Sequence, residues 1–337
     1  MNLDMASRIA RRSFLKGVNL VGAGLLLTLP VFGQAQEPQP ADGLTYKFVN
    51  RTNGRFTDDQ CFWSLNGGRE WHSFAKEPTV RCPSGNGRVY FRLGAAPKNF
   101  DDREANWDFI EYAYDKGTWH GNTTQVDAFC IPMTIELGNK KVGISESRRK
   151  LFEAFRTEAP KEFKACVKGD SWILSPCRAG FDKEGPNGKY FDKYIDEVWD
   201  TYAEEKKTPS GKWIGKVVKG ALTFTPDDGG KSISCARKPT TQDVFLGTGA
   251  LGANPQFCAA INRHVLADPA DWNNTAAFYK AEPCNWYSKF LHEHSIDHKA
   301  YGFCYDDASD QAAFFSGKGQ NLIVTLYWDS DAKPDGK

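Results

Sequence analysis

Short alternations of apolar and polar residues dominate the chain between residues 44 and 137. Because the side chains of a strand alternate between two faces, a period of two over a few residues predicts a β-strand. Turn residues such as Asn53-Gly54 and Ser84-Gly85-Asn86-Gly87 separate these runs. Repeated short strands of this kind indicate a sandwich or barrel. The predicted strands are 44–49, 87–93, 107–114 and 124–137.

The pattern changes after Gly143, where apolar residues recur at helical spacing. The clearest stripe runs from Tyr190 to Tyr202, and further helices are predicted at 255–266 and 285–292. Residues 213–224 alternate like strands, and 320–328 form a last β run. We therefore predict a mainly β protein with an α/β part. Its modules are a β-barrel or sandwich of residues 43–142 closed by 308–337, and a mixed α/β module of residues 143–307.

The first residues have the pattern of an export signal. Arg11-Arg12-Ser13-Phe14-Leu15-Lys16 precedes an apolar run from Gly17 to Phe32, and Gly33-Gln34-Ala35 supplies small residues for cleavage. The paired arginines resemble a twin-arginine signal. A membrane anchor is the alternative, but the apolar run is short for a span of roughly 20 residues. We expect a signal peptide at 1–35, a leader at 36–42, and a secreted or periplasmic protein.

Charge changes the range of expected partners. Without residues 1–35 the chain has 39 Lys and Arg against 41 Asp and Glu, a net charge of −2. A nucleic-acid binder needs concentrated positive charge, so this balance argues against one. It suits a neutral ligand such as an uncharged polysaccharide. We expect no nucleic-acid partner, no membrane contact after signal removal, and a monomer.

Nine cysteines and a group of histidines raise two further questions. An exported protein is allowed disulfides, and near neighbours suggest 61–82, 166–177, 235–258 and 284–304, with Cys130 unpaired. Buried thiols are the alternative, although we expect at least two bridges. His292, His294 and His298 invite a metal, but residues two apart on a helix point to different sides. We therefore expect no metal and no cofactor.

Glu111 is an acid on an apolar strand face. In the predicted strand 107–114 it shares a face with Trp107 and Phe109. A carboxylate is costly to bury there without a partner or a task. Desolvation also raises the pKa of a carboxyl group, as a general acid working near neutral pH requires.

Asp127 is a second acid of this kind, on the face of Phe129 and Ile131. Residues 116–122 resemble a hairpin loop, and Glu111 and Asp127 lie eight residues on either side of Trp119. A hairpin folded about Trp119 would place both carboxylates on one face of neighbouring strands. Such a pair is what glycoside hydrolysis requires, although the residues alone leave retention and inversion open. Two acids on a solvated face are the alternative reading.

Several motifs resemble glycoside hydrolase family 64, the β-1,3-glucanases of the thaumatin-like superfamily. The most specific is Asn122-Thr123-Thr124-Gln125-Val126-Asp127-Ala128-Phe129. Asp108-Phe109-Ile110-Glu111-Tyr112, the sixteen-residue step from Glu111 to Asp127, and Pro239-Thr240-Thr241-Gln242-Asp243-Val244-Phe245 support it. The likeness covers nearly all of the chain after residue 35. Many members have Thr in place of Ala113 and Gly in place of Cys130.

The resemblance implies a thaumatin-like β module packed on a mixed α/β module, with a wide groove between them. It implies an inverting endo-hydrolase of β-1,3-glucan that releases short oligosaccharides, with Glu111 as general acid and Asp127 as general base. Asp115, Trp119, Asn122 and Thr124 fall where sugar contacts are expected. For Asp306-Asp307 two readings stay open, a place in the groove and a solvated turn.

Two other classes of function stay open at this point. A non-catalytic, glucan-binding or antifungal thaumatin-like protein would keep the groove without the acid and base. A structural or inhibitor protein would need neither Glu111 nor Asp127. Because both acids are present at the family spacing, the sequence favours the enzyme.

Overall fold

The computed structural model describes residues 43–65, 67–96 and 106–329. The predicted signal peptide and leader lie outside the described residues. No helix in the described ranges is long and apolar enough to cross a membrane. The strands are β1 Thr45–Arg51, β2 Cys61–Ser64, β3 His72–Ser73, β4 Thr79–Arg81, β5 Gly85–Leu93, β6 Asn106–Asp115, β7 Thr118–Thr123, β8 Ala128–Phe129, β9 Met133–Leu137, β10 Lys140–Gly143, β11 Val167–Lys168, β12 Trp172–Leu174, β13 Lys206–Lys207, β14 Trp213–Val218, β15 Ala221–Pro226, β16 Ile233–Cys235, β17 Phe314–Gly317 and β18 Asn321–Tyr327. The helices are α1 Arg148–Glu158, α2 Asp192–Thr201, α3 Thr241–Leu246, α4 Pro255–Asn262 and α5 Trp286–Glu293.

Two sheets pack face to face to form a β-sandwich. One has the strand order β10-β9-β18-β1-β4 and the other β17-β7-β6-β5-β2-β3. Apolar side chains from both sheets form one core, as in the contacts of Tyr46 with Tyr112 and of Phe48 with Phe91, whose ring centroids are 5.8 and 5.6 Å apart. Neither sheet closes into a barrel in the part of the chain that the structure describes.

The last strand joins the sheet of the first. β18 runs parallel to β1 over all seven residues of each, from Thr45 opposite Asn321 to Arg51 opposite Tyr327. Parallel neighbours need a long crossover connection, and here it contains the whole α/β part. The exact module limits drawn from the sequence stay a prediction.

A second core belongs to the mixed α/β part. It gathers apolar side chains of the helices and of the β13-β14-β15-β16 sheet, among them Phe155 of α1, Trp199 of α2 and Phe224 of β15. Phe129 of β8 belongs to this core, whereas its neighbour Cys130 belongs to the sandwich core. The chain therefore crosses from one core to the other between Phe129 and Cys130, two residues after Asp127. A β-rich protein with an α/β part, as the sequence predicted, is confirmed.

The hairpin between β6 and β7 is tighter than we predicted. Its two central residues, Lys116 and Gly117, both have positive φ, at 48° and 75°. That is the backbone of a two-residue type I′ turn, which matches the twist of the strands it joins. Residues 118–123 are consequently a strand and not a loop, and the predicted strand 124–137 is interrupted after β8.

All nine cysteines lie in the described residues, and the structure has them as buried thiols. Cys82 Sγ is 3.3 Å from the Tyr46 hydroxyl, and Cys258 Sγ donates to the Val244 carbonyl at 3.2 Å. The expected bridges are therefore not formed in this structure, which has the alternative of apolar, buried thiol groups.

Candidate active site

Glu111 lies in the middle of three hydrogen-bonded strands. Its direct cross-strand neighbours are Arg88 on β5 and Asn122 on β7. Opposed residues of antiparallel strands point to the same face, with Cβ atoms about 4.5–5.5 Å apart. Ile110 and Tyr112, on either side of Glu111 in the chain, belong to the sandwich core. Glu111 therefore faces away from that core, between a cation and an amide.

Arg88 binds one oxygen of Glu111 with two nitrogens. Nε and Nη2 of the guanidinium donate to Glu111 Oε1 at 3.0 and 2.8 Å. Glu111 Oε2 has no protein partner within the described ranges. The guanidinium also lies over the Phe109 ring, 4.0 Å from its centroid. Both side chains are buried, with exposed fractions of 6% for Arg88 and 5% for Glu111.

Asp127 reaches the same arginine from an irregular segment after β7. Hydrogen bonds hold the backbone of this segment: Gln125 N–H donates to the Tyr301 carbonyl at 2.9 Å, and the Tyr287 hydroxyl donates to the Gln125 carbonyl at 2.6 Å. The Asp127 carbonyl accepts from Ser175 N–H at 3.2 Å. The segment is thus fixed at both ends by the α/β part of the chain.

The two carboxylates meet at one guanidinium. Arg88 Nη1 is 4.0 Å from Asp127 Oδ2, while Nη2 binds Glu111. The structure therefore brings together the two acids that the sequence singled out. The prediction that a hairpin about Trp119 does so was wrong, because Glu111 opposes Asn122 and Asp127 lies beyond the end of β7.

Burial dominates the electrostatics of Asp127. Its pKa is raised above the usual range by desolvation, against the lowering effect of Arg88 and Arg178, while the charge of Glu111 raises it further. A buried carboxyl group with a raised pKa beside a second carboxylate is the arrangement from which acid and base roles arise. A pair of this kind can protonate a leaving oxygen and activate a water.

Three of the four residues expected to contact sugar, Asp115, Asn122 and Thr124, lie near Glu111 or on its face of the sheet. They differ in how deeply they are buried. Asp115 is exposed at the end of β6, on the face of Glu111 and about 13 Å along the strand from it. Asn122 is fully buried opposite Glu111, and neither polar atom of its side chain has a protein partner in the described part of the chain. Thr124 is buried, and its Oγ1 accepts from Val126 N–H at 3.4 Å.

Trp119 does not fit its predicted role. Its ring is fully buried in the sandwich core, on the opposite face of the sheet from Glu111. The indole N–H donates to the Tyr46 hydroxyl at 3.0 Å, and the ring packs on Phe315 at 5.1 Å. The two-residue turn causes this difference, because it shifts the register of β7 and so decides which residues face outward.

Arg88 and His120 are site residues that the sequence interpretation missed. His120 is partly exposed opposite Ala113 and lies 2.6 Å from the Ser316 hydroxyl. Burial lowers the pKa of His120, against the opposing effect of Asp115. Placing the turn at Lys116-Gly117 would have identified His120, and the alternation of β5 would have marked Arg88 as a charge between apolar neighbours.

Two of the other candidates, His292 and Asp306, belong to a separate buried cluster, whereas His298 is exposed and His294 and Asp307 are half-buried. Asp306 is fully buried and accepts from Arg263 Nη2 at 3.1 Å, from Ser288 Oγ at 2.8 Å and from Gly302 N–H at 2.9 Å. His292 Nε2 lies 3.0 Å from both of its oxygens. Asp306 is therefore neither a solvated turn residue nor a groove residue, and His292 binds a carboxylate.

Comparison with known proteins places this architecture in a family. Two carboxylates at one site on a β-sandwich are an arrangement that glycoside hydrolases use. The family model described as Beta-1,3-glucanase, glycoside hydrolase family 64, matches residues 34–326. The chain belongs to this family, so the resemblance found in the sequence is confirmed.

Curated relatives carry the same description. A glucan endo-1,3-beta-glucosidase of Cellulosimicrobium cellulans is 24% identical over 300 residues, and one of Arthrobacter sp. (strain YCWD3) is 23% identical over 300 residues. Each match covers 74% of this chain and 53% of the relative. The chain thus spans about half the length of the curated relatives it matches.

Solved structures agree over most of the fold. A β-1,3-glucanase domain from Clostridium beijerinckii is 26% identical with a TM-score of 0.76, and the match covers 87% of this chain and all of that one. A laminaripentaose-producing β-1,3-glucanase from Paenibacillus barengoltzii is 29% identical with a TM-score of 0.68, over 86% of this chain and 76% of that one. The latter has also been solved with laminarihexaose.

Proposed function

We propose that this chain is an endo-acting, inverting glycoside hydrolase of β-1,3-glucan that releases short β-1,3-gluco-oligosaccharides. One observation carries the proposal: Glu111 and Asp127, from different segments, converge on the guanidinium of Arg88. Membership of the β-1,3-glucanase family supplies the substrate class. A relative solved with laminarihexaose supports a linear β-1,3-linked substrate.

The proposed reaction divides the work between the two acids. Glu111, protonated on Oε2, donates its proton to the glycosidic oxygen as the bond from that oxygen to the anomeric carbon breaks. Asp127 accepts a proton from a water whose oxygen forms the new bond to the anomeric carbon. The products are two shorter chains, one with a new reducing end of inverted configuration.

The surroundings of the pair suit a neutral sugar chain. Along the outward face of β6 and β7, Ala113, Asp115 and His120 are partly or fully exposed beside the buried Glu111. A carboxylate accepts hydrogen bonds from sugar hydroxyls, and a neutral imidazole can donate one and accept another. Ala113 supplies only a methyl group, so its position makes no such bond. We propose Asp115 and His120 as direct sugar contacts, with Asn122 and Thr124 acting from beneath the surface.

Hydrolysis of insoluble β-1,3-glucan by the purified protein is the decisive test. We expect soluble oligosaccharides from curdlan and laminarin, and a loss of roughly 10²–10⁴-fold in kcat for Glu111→Gln and for Asp127→Asn. Both variants should melt near the wild type. A wild type that binds curdlan without cleaving it would instead identify a non-catalytic glucan-binding protein.

The stereochemical course is tested separately. NMR of the first products should show the α-anomer ahead of its mutarotation, because inversion of a β-linkage produces that anomer. An initial excess of the β-anomer would exclude inversion and require Asp127, or another group, to act as a nucleophile.

We further propose the cellular and structural assignments that the sequence suggested. Residues 1–35 would be a twin-arginine export signal and 36–42 a leader, so that the protein acts outside the cytoplasm as a monomer. The sandwich would comprise 43–142 with 308–337, around the α/β module of 143–307. N-terminal sequencing of the exported protein tests the cleavage site, and its sedimentation velocity tests the monomeric state.

A further inference from the structure

Arg88 is a buried cation whose contacts are not those of a structural ion pair alone. Two of its nitrogens bind the same oxygen of Glu111, and the third faces Asp127 at 4.0 Å. A guanidinium more often binds a carboxylate in a fork, with one N–H bond to each oxygen. Here Oε1 takes both bonds, so that Oε2 is left without a protein partner among the described residues.

We infer that Arg88 is the positioning residue of the reaction: it holds Oε1 of Glu111 so that the acidic proton is carried on Oε2, and it binds the negative charge that Glu111 acquires as this proton leaves. The inference rests on the proposed function and deepens it. The carbonyl oxygen of a neutral carboxyl group accepts hydrogen bonds, so the contact exists before proton transfer. It strengthens when the group becomes a carboxylate, because bonds to an ionised acceptor are roughly twice as strong.

An interaction that is stronger in the transition state than in the ground state accelerates the chemical step. The fixed position of Arg88 makes this effect large, since a preorganised donor in a buried site needs no reorganisation as charge develops. Its cross-strand pairing with Glu111 and its packing over Phe109 provide that rigidity.

The same cation also sets the field at Asp127. The groups that interact electrostatically with either carboxylate come from several elements of the described structure. Arg178 is the second cation, but its side chain is exposed, whereas Arg88 is buried and touches both acids. The remaining groups carry no positive charge in either protonation state. They are Asp108, Tyr287, Tyr301 and Cys304. Removing the charge of Arg88 therefore leaves the pair with one solvent-screened cation.

Two substitutions separate the charge of Arg88 from its geometry. In Arg88→Met the charge that lowers the pKa of Asp127 is lost, so the acidic limb of the pH–rate profile, which reports ionisation of the general base, should move to higher pH. In Arg88→Lys the positive charge is kept, but the pair of hydrogen bonds from Nε and Nη2 to Glu111 Oε1 is lost. The pH–rate profile should therefore keep its position on the pH axis. In both, kcat should fall roughly 10²–10³-fold, as for loss of a preorganised donor at a developing charge, with KM changed far less.

Arg148→Lys is the matched control, because Arg148 is also a buried arginine packed over aromatic rings, but it contacts neither Glu111 nor Asp127 in the described residues, and its guanidinium donates to the backbone carbonyls of Cys130, Asp170 and Ser171. It should lower the melting temperature and leave the kcat of the folded enzyme and its pH profile unchanged. If the Arg88 variants behave like this control, with activity lost only in proportion to folded protein, the positioning role is wrong. A wild type that cleaves no β-1,3-glucan overturns the proposed function itself, whereas an active wild type with an unshifted Arg88→Met profile overturns only the role of Arg88.

Discussion

Asn122 lies directly opposite Glu111 on the neighbouring strand, and both polar atoms of its amide are buried without a protein partner in the described residues. Buried polar groups are almost always hydrogen-bonded, so an exception needs an explanation. Its position beside the acid provides one, because a water or a sugar hydroxyl at Glu111 would lie within reach of the amide. Asn122 is thus suited to orient what occupies the site.

Asn122→Leu tests this assignment. An apolar side chain of similar shape removes unpartnered polar atoms, so we expect the melting temperature to stay level or rise. One lost hydrogen bond in the bound state should lower kcat/KM about tenfold. Thr123→Val is the control, since Thr123 Oγ1 is also buried without a partner in the described structure but lies one residue along the strand, on the other face. A variant of Asn122 that melts much earlier at unchanged kcat/KM would show a purely structural amide.

Local alternation was enough to predict β1, β5, β6 and β18, and it placed Glu111 on a strand face. Alternation did not predict the register between β6 and β7, because the length of the turn decides which face of the sheet each residue of β7 lies on. Lys116 adopts positive φ without being glycine, and this shortened the hairpin beyond what the sequence suggested. The position of Asp127 depends on long-range bonds to Tyr301 and Ser175, which no local pattern reveals. Asp127 was identified through the resemblance of residues 122–129 to the family motif, since members of a family share the packing that positions this residue.

The effect on substrate binding that the sequence predicted for Trp119 should instead be found at His120. Trp119→Phe removes the indole bond to Tyr46 and leaves a gap in the core, so stability should fall by about 1 kcal/mol or more at an unchanged KM. His120→Ala removes a partly exposed ring on the site face, so KM for laminarin should rise while the melting temperature changes little. Paired thermal melts and kinetics measure both. A raised KM for Trp119→Phe at full stability would restore the sugar contact first predicted.

Gly121 allows β6 and β7 to approach beside Glu111, the proposed catalytic acid. A Cβ there would lie 2.6 Å from the Glu111 carbonyl oxygen and would overlap the Trp119 ring. Neither neighbour can move freely, since one is strand backbone and the other is packed in the core. Gly121→Ala should therefore cost about 1–3 kcal/mol of stability and lower kcat by displacing Glu111. Gly117→Ala, in the open turn of the same hairpin, is the comparison: its strain should lower stability at unchanged kcat. Equal kcat in both variants would contradict the argument.

His292 and Asp306 should make folding stability depend on pH. Burial lowers the pKa of His292, but the charge and hydrogen bond of Asp306 outweigh this effect and the pKa is raised. For Asp306, burial raises the pKa, and the opposing effects of His292 and Arg263 hold it below its ordinary value. The histidine contribution is then complete below its unfolded pKa of about 6.5 and is lost as pH rises through the folded pKa. The aspartate contribution is present above about 3.9 and is lost as pH falls through the lowered value.

Stability against urea should therefore decline as pH rises above about 6.5 and through the raised pKa of His292, and His292→Gln should flatten that decline. Asp306→Ala should cost about 3–5 kcal/mol, because it leaves the buried guanidinium of Arg263 without its carboxylate. His294→Gln serves as the control, since His294 pairs with the half-exposed Glu146 at the surface and its loss should leave the slope intact. A wild-type slope that survives in His292→Gln and disappears in His294→Gln would assign the pH dependence to the surface pair.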